Sequence, residues 1–219
     1  MIIAVDGPAA AGKGTLARKL ARAFNLAYLD TGALYRATAL AVLKAGAEPS
    51  DPEAGARASA ELDLALLESP DLRAEATGEA ASQVAAIPVV RSNLLAFQRN
   101  FALSPPGTVS GAILDGRDIG TVVCPDADLK IFVTASPEER AARRLKDEQA
   151  RGGAADYAQI LADVKARDDR DMNRADAPLK PADDAHLLDT TDLDIEAAFD
   201  RAAAFLRELS DRRPVQETE

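Results

Sequence analysis

Cysteine, histidine and tryptophan are almost missing from this 219-residue sequence. It has one cysteine, Cys124, one histidine, His186, and no tryptophan. A single cysteine cannot form an internal disulfide, which suits a reducing compartment. These two residues are also too few for a metal site of the His and Cys type. Because aromatic residues make up only 4% of the chain, alanine, leucine, valine and isoleucine must fill the core.

Long apolar runs and an excess of positive charge are missing as well. The first apolar run, residues 2–5, breaks at Asp6 and Gly7 and is far too short for a signal sequence or a membrane span. The formal charge is −10, whereas a nucleic-acid surface needs concentrated lysine and arginine. We therefore expect a cytoplasmic monomer that binds neither nucleic acid nor membrane.

Five short apolar runs are each followed by a polar residue or turn and then by a helical pattern. This arrangement predicts buried parallel strands in an open α/β sheet, whose ligands collect at the carboxyl ends of the strands. The length suits one main core with a modest insertion. The predicted strands are residues 2–5, 27–29, 112–114, 129–133 and 186–188.

Helix signals fill the intervals between these strands. An amphipathic helix is predicted to begin near Lys13. A second helix begins at Ser136, which offers a cap, a proline at the first helical position and a reciprocal glutamate at Glu139. Residues 45–88 lack a strand pattern and are predicted to form a small helical insertion, and Gly152 and Gly153 mark a second short excursion.

A glycine-rich loop between the first strand and the first helix is the strongest signal. Such a loop turns successive backbone N–H groups towards one anion, and its lysine reaches the β- and γ-phosphates of a nucleoside triphosphate. Gly14 separates the lysine from the hydroxyl of Thr15, which turns that hydroxyl about 100° round the helix. The loop consists of Gly7, Pro8, Ala9, Ala10, Ala11, Gly12, Lys13, Gly14 and Thr15.

Charged residues follow two other strands. Asp30 or Thr31 can cap a helix that carries Arg36 one turn inside it. Asp115, Arg117 and Asp118 follow the third strand, where charges need a ligand or a partner if they are buried.

A charge run begins at Arg167. Helical spacing places Arg167, Asp171 and Arg174 on one face, so they can present two cations and a carboxylate to one ligand. The guanine-reading Asn-Lys-x-Asp motif of GTPases is absent from the sequence, because no asparagine precedes a lysine. A second, arginine-lined anion site favours a kinase instead.

Five blocks of the sequence, spread along nearly the whole chain, resemble bacterial cytidylate kinases. They are DGPAAAGKGT, LDTGALYR, ASQVAAIPVVR, LDGRDIGTVVCPDADLKIF and RDDRDMNRADAPL. The resemblance implies a P-loop kinase core with a five-stranded parallel sheet flanked by helices. It also implies an acceptor-binding insertion at 45–88 and a short lid at 145–159, with the core formed by 1–44, 89–144 and 160–219.

By position, the resemblance also implies the acceptor site. Arg36, Arg117, Arg167 and Arg174 resemble the acceptor-phosphate arginines, Asp171 the ribose-binding carboxylate, and Ser82, Arg91 and Asp118 the residues that read cytosine. Thr31, Tyr35 and Asp115 complete the predicted substrate contacts. A carboxylate at Asp118 would accept from the cytosine amine and oppose the uracil carbonyl. Residues 62–71 are too short for the extra strands that some relatives carry there.

The implied reaction transfers the γ-phosphoryl group of ATP to CMP or dCMP. We expect catalysis from Lys13, Arg117, Arg174, Mg²⁺ and cations at the start of the lid-side helix. Arg140, Arg143 and Arg144 share one helical face there, and Arg140 and Arg144 are the predicted contacts to the transferred phosphate. Asp115 is predicted to hold magnesium through water. The alternatives are the same reaction on UMP or AMP, and a nucleotide-binding regulator without turnover.

Overall fold

A five-stranded sheet organises the chain, for which the computed structural model describes residues 1–150, 152 and 155–212. The strand order is β2-β3-β1-β4-β5, and every pair is parallel. All five predicted strands are confirmed, and each runs one or two residues further at its carboxyl end. The strands are β1 Ile2–Asp6, β2 Ala27–Asp30, β3 Ala112–Gly116, β4 Leu129–Thr134 and β5 His186–Asp189.

The register brings the polar residues at the strand ends to one edge of the sheet. Val5 and Asp30 both lie opposite Asp115, on the two sides of β3. Asp6 lies opposite Gly116. The turns that follow β1, β2 and β3 therefore start side by side, as the sequence predicts for a ligand site.

Helices connect the strands. Residues 45–88, all of which are described, contain two helices and two 3₁₀ turns, Leu64–Glu68 and Pro70–Arg73, but no strand. The predicted helical character of this segment is confirmed. The helices are α1 Lys13–Ala23, α2 Thr31–Lys44, α3 Pro52–Ala60, α4 Glu75–Val84, α5 Pro88–Leu103, α6 Pro137–Ala150, α7 Tyr157–Asn173 and α8 Ile195–Arg212.

Side-chain caps fix where the site-bearing helices begin. Asp30, rather than Thr31, caps α2 by accepting from the Ala33 N–H at 3.1 Å. Ser136 caps α6 by accepting from the Glu139 N–H at 3.2 Å. The predicted return hydrogen bond, from the Ser136 N–H to the Glu139 carboxylate, is wrong. The Ser136 N–H donates to Thr191 Oγ1 instead, and the Glu139 carboxylate pairs with Arg143.

Small and branched aliphatic side chains fill three main layers of core. On one face of the sheet, Ile3, Leu16, Ile131 and Leu206 are buried between the strands and α1 and α8. The opposite face of the sheet packs through Leu114 and its neighbours against α5. A separate cluster joins α2, α3, α4 and α5, so the insertion is packed against core helices.

The length and apolar composition of the helices bear on whether one of them could cross a membrane. In the described ranges, no single helix combines the length and apolar composition needed to cross a membrane. Helices α4 and α5 meet those criteria only as a pair, and they are bent by 99° at their junction.

Candidate active site

The phosphate loop closes over the carboxyl end of β1. Gly12 has a left-handed backbone (φ 85°) and caps α1 with its backbone alone. A Cβ on Gly7 would lie 1.9 Å from the Val133 carbonyl oxygen, so only glycine can pass this close to β4. These two positions explain why the loop needs glycine where it leaves β1 and where it enters α1.

Lys13 is the first residue of α1, and its side chain is buried within the loop. Its Nζ lies 3.5 Å from the Pro8 carbonyl oxygen. Burial, and then the charge of Arg117, lowers the pKa of Lys13 to about 8, while Asp115 opposes the shift. The amine is therefore protonated at neutral pH but poorly compensated, which favours a bound anion.

Gly14 lies against Asp115, and this contact explains the glycine that follows the lysine. A Cβ at Gly14 would be 2.9 Å from Asp115 Oδ2. Tyr28 donates a hydrogen bond to the same oxygen at 2.8 Å, and Thr31 donates to the Asp115 backbone carbonyl at 2.7 Å. Burial raises the pKa of Asp115, although Lys13 acts against it. A serine or threonine at position 14 would collide with this carboxylate.

A cavity of about 440 Å³ lies in front of the loop. Its lining includes Lys13, Thr15 and Asp115 together with three arginines, Arg36, Arg117 and Arg167. No group of three or more metal-binding side chains occurs in the part of the chain that the structure describes. Asp115 and Asp30 both face this cavity, which fits a Mg²⁺ ion bound by one or two carboxylates, phosphate oxygens and water.

A second, narrower cavity of about 50 Å³ adjoins the first and shares Gly32, Ala81, Arg117 and Arg167 with it. Nine of the eleven predicted substrate residues line this cavity. Arg36 and Asp115, the remaining two, line the larger cavity. The nine are Thr31, Tyr35, Ser82, Arg91, Arg117, Asp118, Arg167, Asp171 and Arg174.

A buried ion pair forms one end of this narrow cavity. Arg91 pairs with Asp118, and both side chains are buried. The Arg91 guanidinium also donates to the Ala85 carbonyl at 3.2 Å and stacks over the Tyr35 ring at 5.5 Å. Arg174 approaches the other oxygen of Asp118 at 3.8 Å. The carboxylate is thereby held between two cations.

Excess positive charge marks the other end of the narrow cavity. Arg117 Nε donates to Asp171 at 3.0 Å. Burial alone would raise the pKa of Asp171, but Arg117 and Arg167 hold it below its usual value. Burial, followed by repulsion from Arg117, lowers the pKa of Arg167 to about 10. Arg167 Nε is buried without a hydrogen-bond partner among the described residues, so an anion bound here would satisfy it.

Residues 3–208 of this chain match the family model described as cytidylate kinase. The chain belongs to the cytidylate kinase family. It is 56% identical over 205 residues to the cytidylate kinase of Paramagnetospirillum magneticum, with 94% of this chain and 97% of that protein covered. It is 57% identical over 211 residues to that of Methylocella silvestris, with 96% of each chain covered.

Among solved structures, an uncharacterized protein from Eubacterium ventriosum shares the fold. Its TM-score is 0.56 at 14% identity, and the match covers 97% of this chain and 99% of that one. This likeness supports the fold alone, whereas the family membership comes from the sequence matches.

The three arginines at the start of α6, Arg140, Arg143 and Arg144, have different partners. Arg143 bonds both Thr190 Oγ1 (3.1 Å) and the Thr190 carbonyl (2.6 Å), and it lines the larger cavity. Arg144 lies 3.4 Å from Glu75 of the insertion. The shared face that the sequence predicts for these arginines is therefore divided among separate partners.

Arg140 requires a correction. It is buried, its guanidinium pairs with Asp168 of α7, and it donates to the carbonyls of Ala135 and Ala9. Every guanidinium nitrogen is thus engaged, so Arg140 does not reach a phosphate in this structure. It instead joins α6, α7 and the phosphate loop.

A third cavity, of about 330 Å³, was not predicted from the sequence. It lies beside the phosphate loop and is mostly apolar, with Leu16, Leu193 and Ile195 facing Thr190 and Arg143. The sequence does contain a signal for it, because residues 190–195 follow β5 directly and ligands bind at the carboxyl ends of strands. This segment carries no recognisable motif, so the sequence alone does not single it out.

Proposed function

We propose that this protein transfers the γ-phosphoryl group of ATP to CMP or dCMP, giving ADP and CDP or dCDP. The observation that carries the proposal is the junction of two cavities, one at the phosphate loop and one lined by arginines, which share Arg117 and Arg167. Two relatives that are similar to this protein over almost its full length are both named cytidylate kinase, which supports the same reaction.

On the donor side, we propose that the backbone of residues 7–15 and the Lys13 amine bind the triphosphate. The apolar cavity beside Thr190 and Leu193 has room for the nucleobase of ATP. Asp115, oriented by Tyr28, and the neighbouring Asp30 would hold Mg²⁺ through its waters. When bound, the metal would neutralise charge on the phosphate oxygens.

On the acceptor side, the guanidinium groups of Arg36, Arg117, Arg167 and Arg174 would bind the phosphate of CMP. Asp171 would accept from a ribose hydroxyl. Ser82, Arg91 and Asp118 would recognise the base. The Arg167 Nε atom, which has no hydrogen-bond partner among the described residues, supports this assignment, because a buried cationic donor gains most from an anionic partner.

Phosphoryl transfer between these sites needs alignment and charge neutralisation rather than covalent help. Lys13 would hold the donor phosphates while Arg117, at the junction, contacts both nucleotides. No general base is required, because the attacking group is already a phosphate oxyanion. Arg143 and Arg144 are the cations of α6 that remain close to the cavities, and Arg140 would keep their helix in place.

We further propose that 45–88 is the acceptor-binding unit and 145–159 a lid over the donor, on a core formed by the rest of the chain. Residues 151, 153 and 154 of that lid, including Gly153, lie outside the described residues. Two ion pairs, Glu75 with Arg144 and Glu79 with Arg170, join the insertion to core residues on either side of the lid segment and support a contact between the insertion and the core.

A coupled assay of ADP release with CMP, dCMP, UMP and AMP tests the proposal. We expect the highest kcat/KM with CMP or dCMP. A higher value with UMP or AMP would reassign the acceptor. ATP binding without any acceptor-dependent ADP release would instead identify a nucleotide-binding regulator.

We propose that the protein works as a cytoplasmic monomer without nucleic-acid or membrane partners. The charge of −10 supports the lack of nucleic-acid and membrane partners, since polyanions are repelled by an acidic surface. Light scattering coupled to size-exclusion chromatography at micromolar concentration tests the monomer, and a dimer mass would contradict it.

A further inference from the structure

Asp6 is a buried carboxylate to which the transfer reaction gives no task. It ends β1 and directly precedes the phosphate loop. Its Oδ1 accepts the Ile119 N–H and its Oδ2 accepts the Gly120 N–H, both at 2.8 Å. These two N–H groups open the π-helical turn Ile119–Val123, where the first backbone donors have no partner within the turn.

The turn that Asp6 holds is the continuation of the acceptor site. Arg117 and Asp118 immediately precede Ile119, and both line the narrow acceptor cavity. On its other side, Asp6 is bonded through the backbone to Gly7, the first residue of the phosphate loop. A single side chain therefore links the donor loop to the acceptor loop across 113 residues of sequence.

We propose that Asp6 is a positioning residue for the acceptor: its ionised carboxylate fixes the turn Ile119–Val123 and so keeps Arg117 and Asp118 aimed into the acceptor cavity. Asp6 acts through the backbone of this turn and does not itself contact a nucleotide. The role deepens the proposed function and rests on it.

The charge state of Asp6 makes this role dependent on pH. Burial raises its pKa to about 7, the two N–H donors and Lys13 oppose the shift, and Asp118 adds to it. Besides Lys13 of α1 and Asp118, the thiol of Cys124 at the end of the turn and the stem of Lys130 from β4 surround this position. Protonation removes the negative charge that both N–H groups require, so the turn is held less firmly below neutral pH.

The first test is Asp6→Asn, measured by steady-state kinetics over a range of pH. An asparagine oxygen accepts one N–H, but its amide opposes the other. Well above pH 7, we expect the KM for CMP to rise roughly tenfold, the effect of one hydrogen bond to a charged group. The KM for ATP should stay within about twofold, because the phosphate loop keeps its own contacts.

The pH dependence distinguishes positioning from a general loss of structure. Below neutral pH, wild-type Asp6 becomes neutral as well, so the ratio of the two KM values for CMP should fall towards one. The phosphate of CMP titrates near pH 6, but it cancels because both proteins use the same substrate. A ratio that is constant with pH, or an equal effect on ATP, would overturn the proposal.

Asp128→Asn is the matched control. Asp128 Oδ2 also accepts a backbone N–H, from Ile2 at 2.6 Å, but it does so at the opposite end of β1. This variant should leave the KM for CMP unchanged at every pH. A change as large as that of Asp6→Asn would show that β1 is sensitive to any lost carboxylate, and would overturn the specific role of Asp6.

A second measurement needs no variant and no catalysis. In ¹⁵N-labelled wild-type protein, the amide resonances of Ile119 and Gly120 should shift together with a common midpoint near pH 7. Amides that do not titrate, or that titrate apart, would overturn the proposal. Because this measurement is independent of turnover, it remains decisive if Asp6→Asn does not fold or if CMP proves not to be the acceptor.

Discussion

Asp118 has two tasks in the structure, and they can be separated by experiment. It is the proposed acceptor for the cytosine amine, and it is also the buried partner of Arg91. In Asp118→Asn the side chain keeps its shape but loses its charge, and its amide can donate to a uracil carbonyl. Since a hydrogen bond to a charged group contributes about 1.5–3 kcal/mol, the CMP-over-UMP ratio of kcat/KM should fall roughly 10- to 100-fold.

The same substitution should also lower stability. Side chains of Arg91 and Asp118 are only 8% and 6% exposed, and removing one partner of a buried pair costs about 3–5 kcal/mol. Arg91 keeps Asp176 at 3.6 Å and the Ala85 carbonyl, which favours the lower end, about 3 kcal/mol. At about 2–4 °C per kcal/mol for a chain of this size, Tm should fall by roughly 6–12 °C.

The assay compares kcat/KM for CMP and UMP below the Tm of each variant, together with thermal unfolding. Asp176→Asn is the control, because that carboxylate is half exposed and should change neither quantity much. In Arg91→Met with Asp118→Leu, an apolar pair should recover stability without recovering base discrimination. If Asp118→Asn kept the full CMP-over-UMP preference, the base-recognition role would be refuted. An unchanged Tm would refute the energetic role of the buried pair.

Four further outcomes follow from the site. Lys13→Met should lower kcat by at least roughly 1,000-fold, since a cation on the transferred phosphate is lost, while calorimetry shows CMP binding intact. Gly14→Ala should lower kcat/KM for ATP about tenfold, because the new methyl group displaces the Asp115 carboxylate; an unchanged value would refute that contact. Arg167→Gln should raise the KM for CMP without lowering Tm, as it removes a poorly compensated charge; a lower Tm would contradict this. Because the pKa of Asp6 is raised in the folded protein, its protonated form stabilises the fold by up to about 4 kcal/mol at low pH. This contribution is lost as pH rises from 3.8, the pKa in the unfolded chain, through about 7. The free energy of unfolding, measured at several pH values, should therefore fall less steeply with rising pH in Asp6→Asn than in the wild type.

The sheet and the anion sites could be predicted because their signals are local. A strand needs only a short apolar run that ends in a polar residue, and β1 and β3 both fit that pattern. The phosphate loop is read from nine consecutive residues, of which Gly7 and Gly12 are fixed by a close approach and a left-handed backbone. Helical spacing likewise brought Arg167 and Asp171 of α7 to the narrow cavity, whereas Arg174 lies just beyond the end of the helix, with an extended backbone, and lines the cavity from there.

The partners of charged residues could not be predicted, because they depend on distant contacts. Arg140, Arg143 and Arg144 look equivalent on one helix, and only the packing of α6 against α7 directs Arg140 to Asp168, 28 residues away. The pairing of Asp6 with the turn after β3 has the same origin. In both cases a residue close to the motif supports the site from behind, and sequence spacing contains no information about that direction.

Positive charge is concentrated around the two joined cavities of an otherwise acidic chain. The chain carries ten more acidic than basic residues, yet it buries or half-buries Lys13, Arg117, Arg167 and Arg174 around two joined cavities. Burial, and then repulsion among these cations, lowers the pKa values of Lys13 and Arg167, so the free protein is destabilised by these charges. Nucleotide phosphates remove that repulsion on binding. Stability and affinity are therefore opposed at these positions, and a variant that stabilises the free protein by removing one cation should bind its nucleotide more weakly.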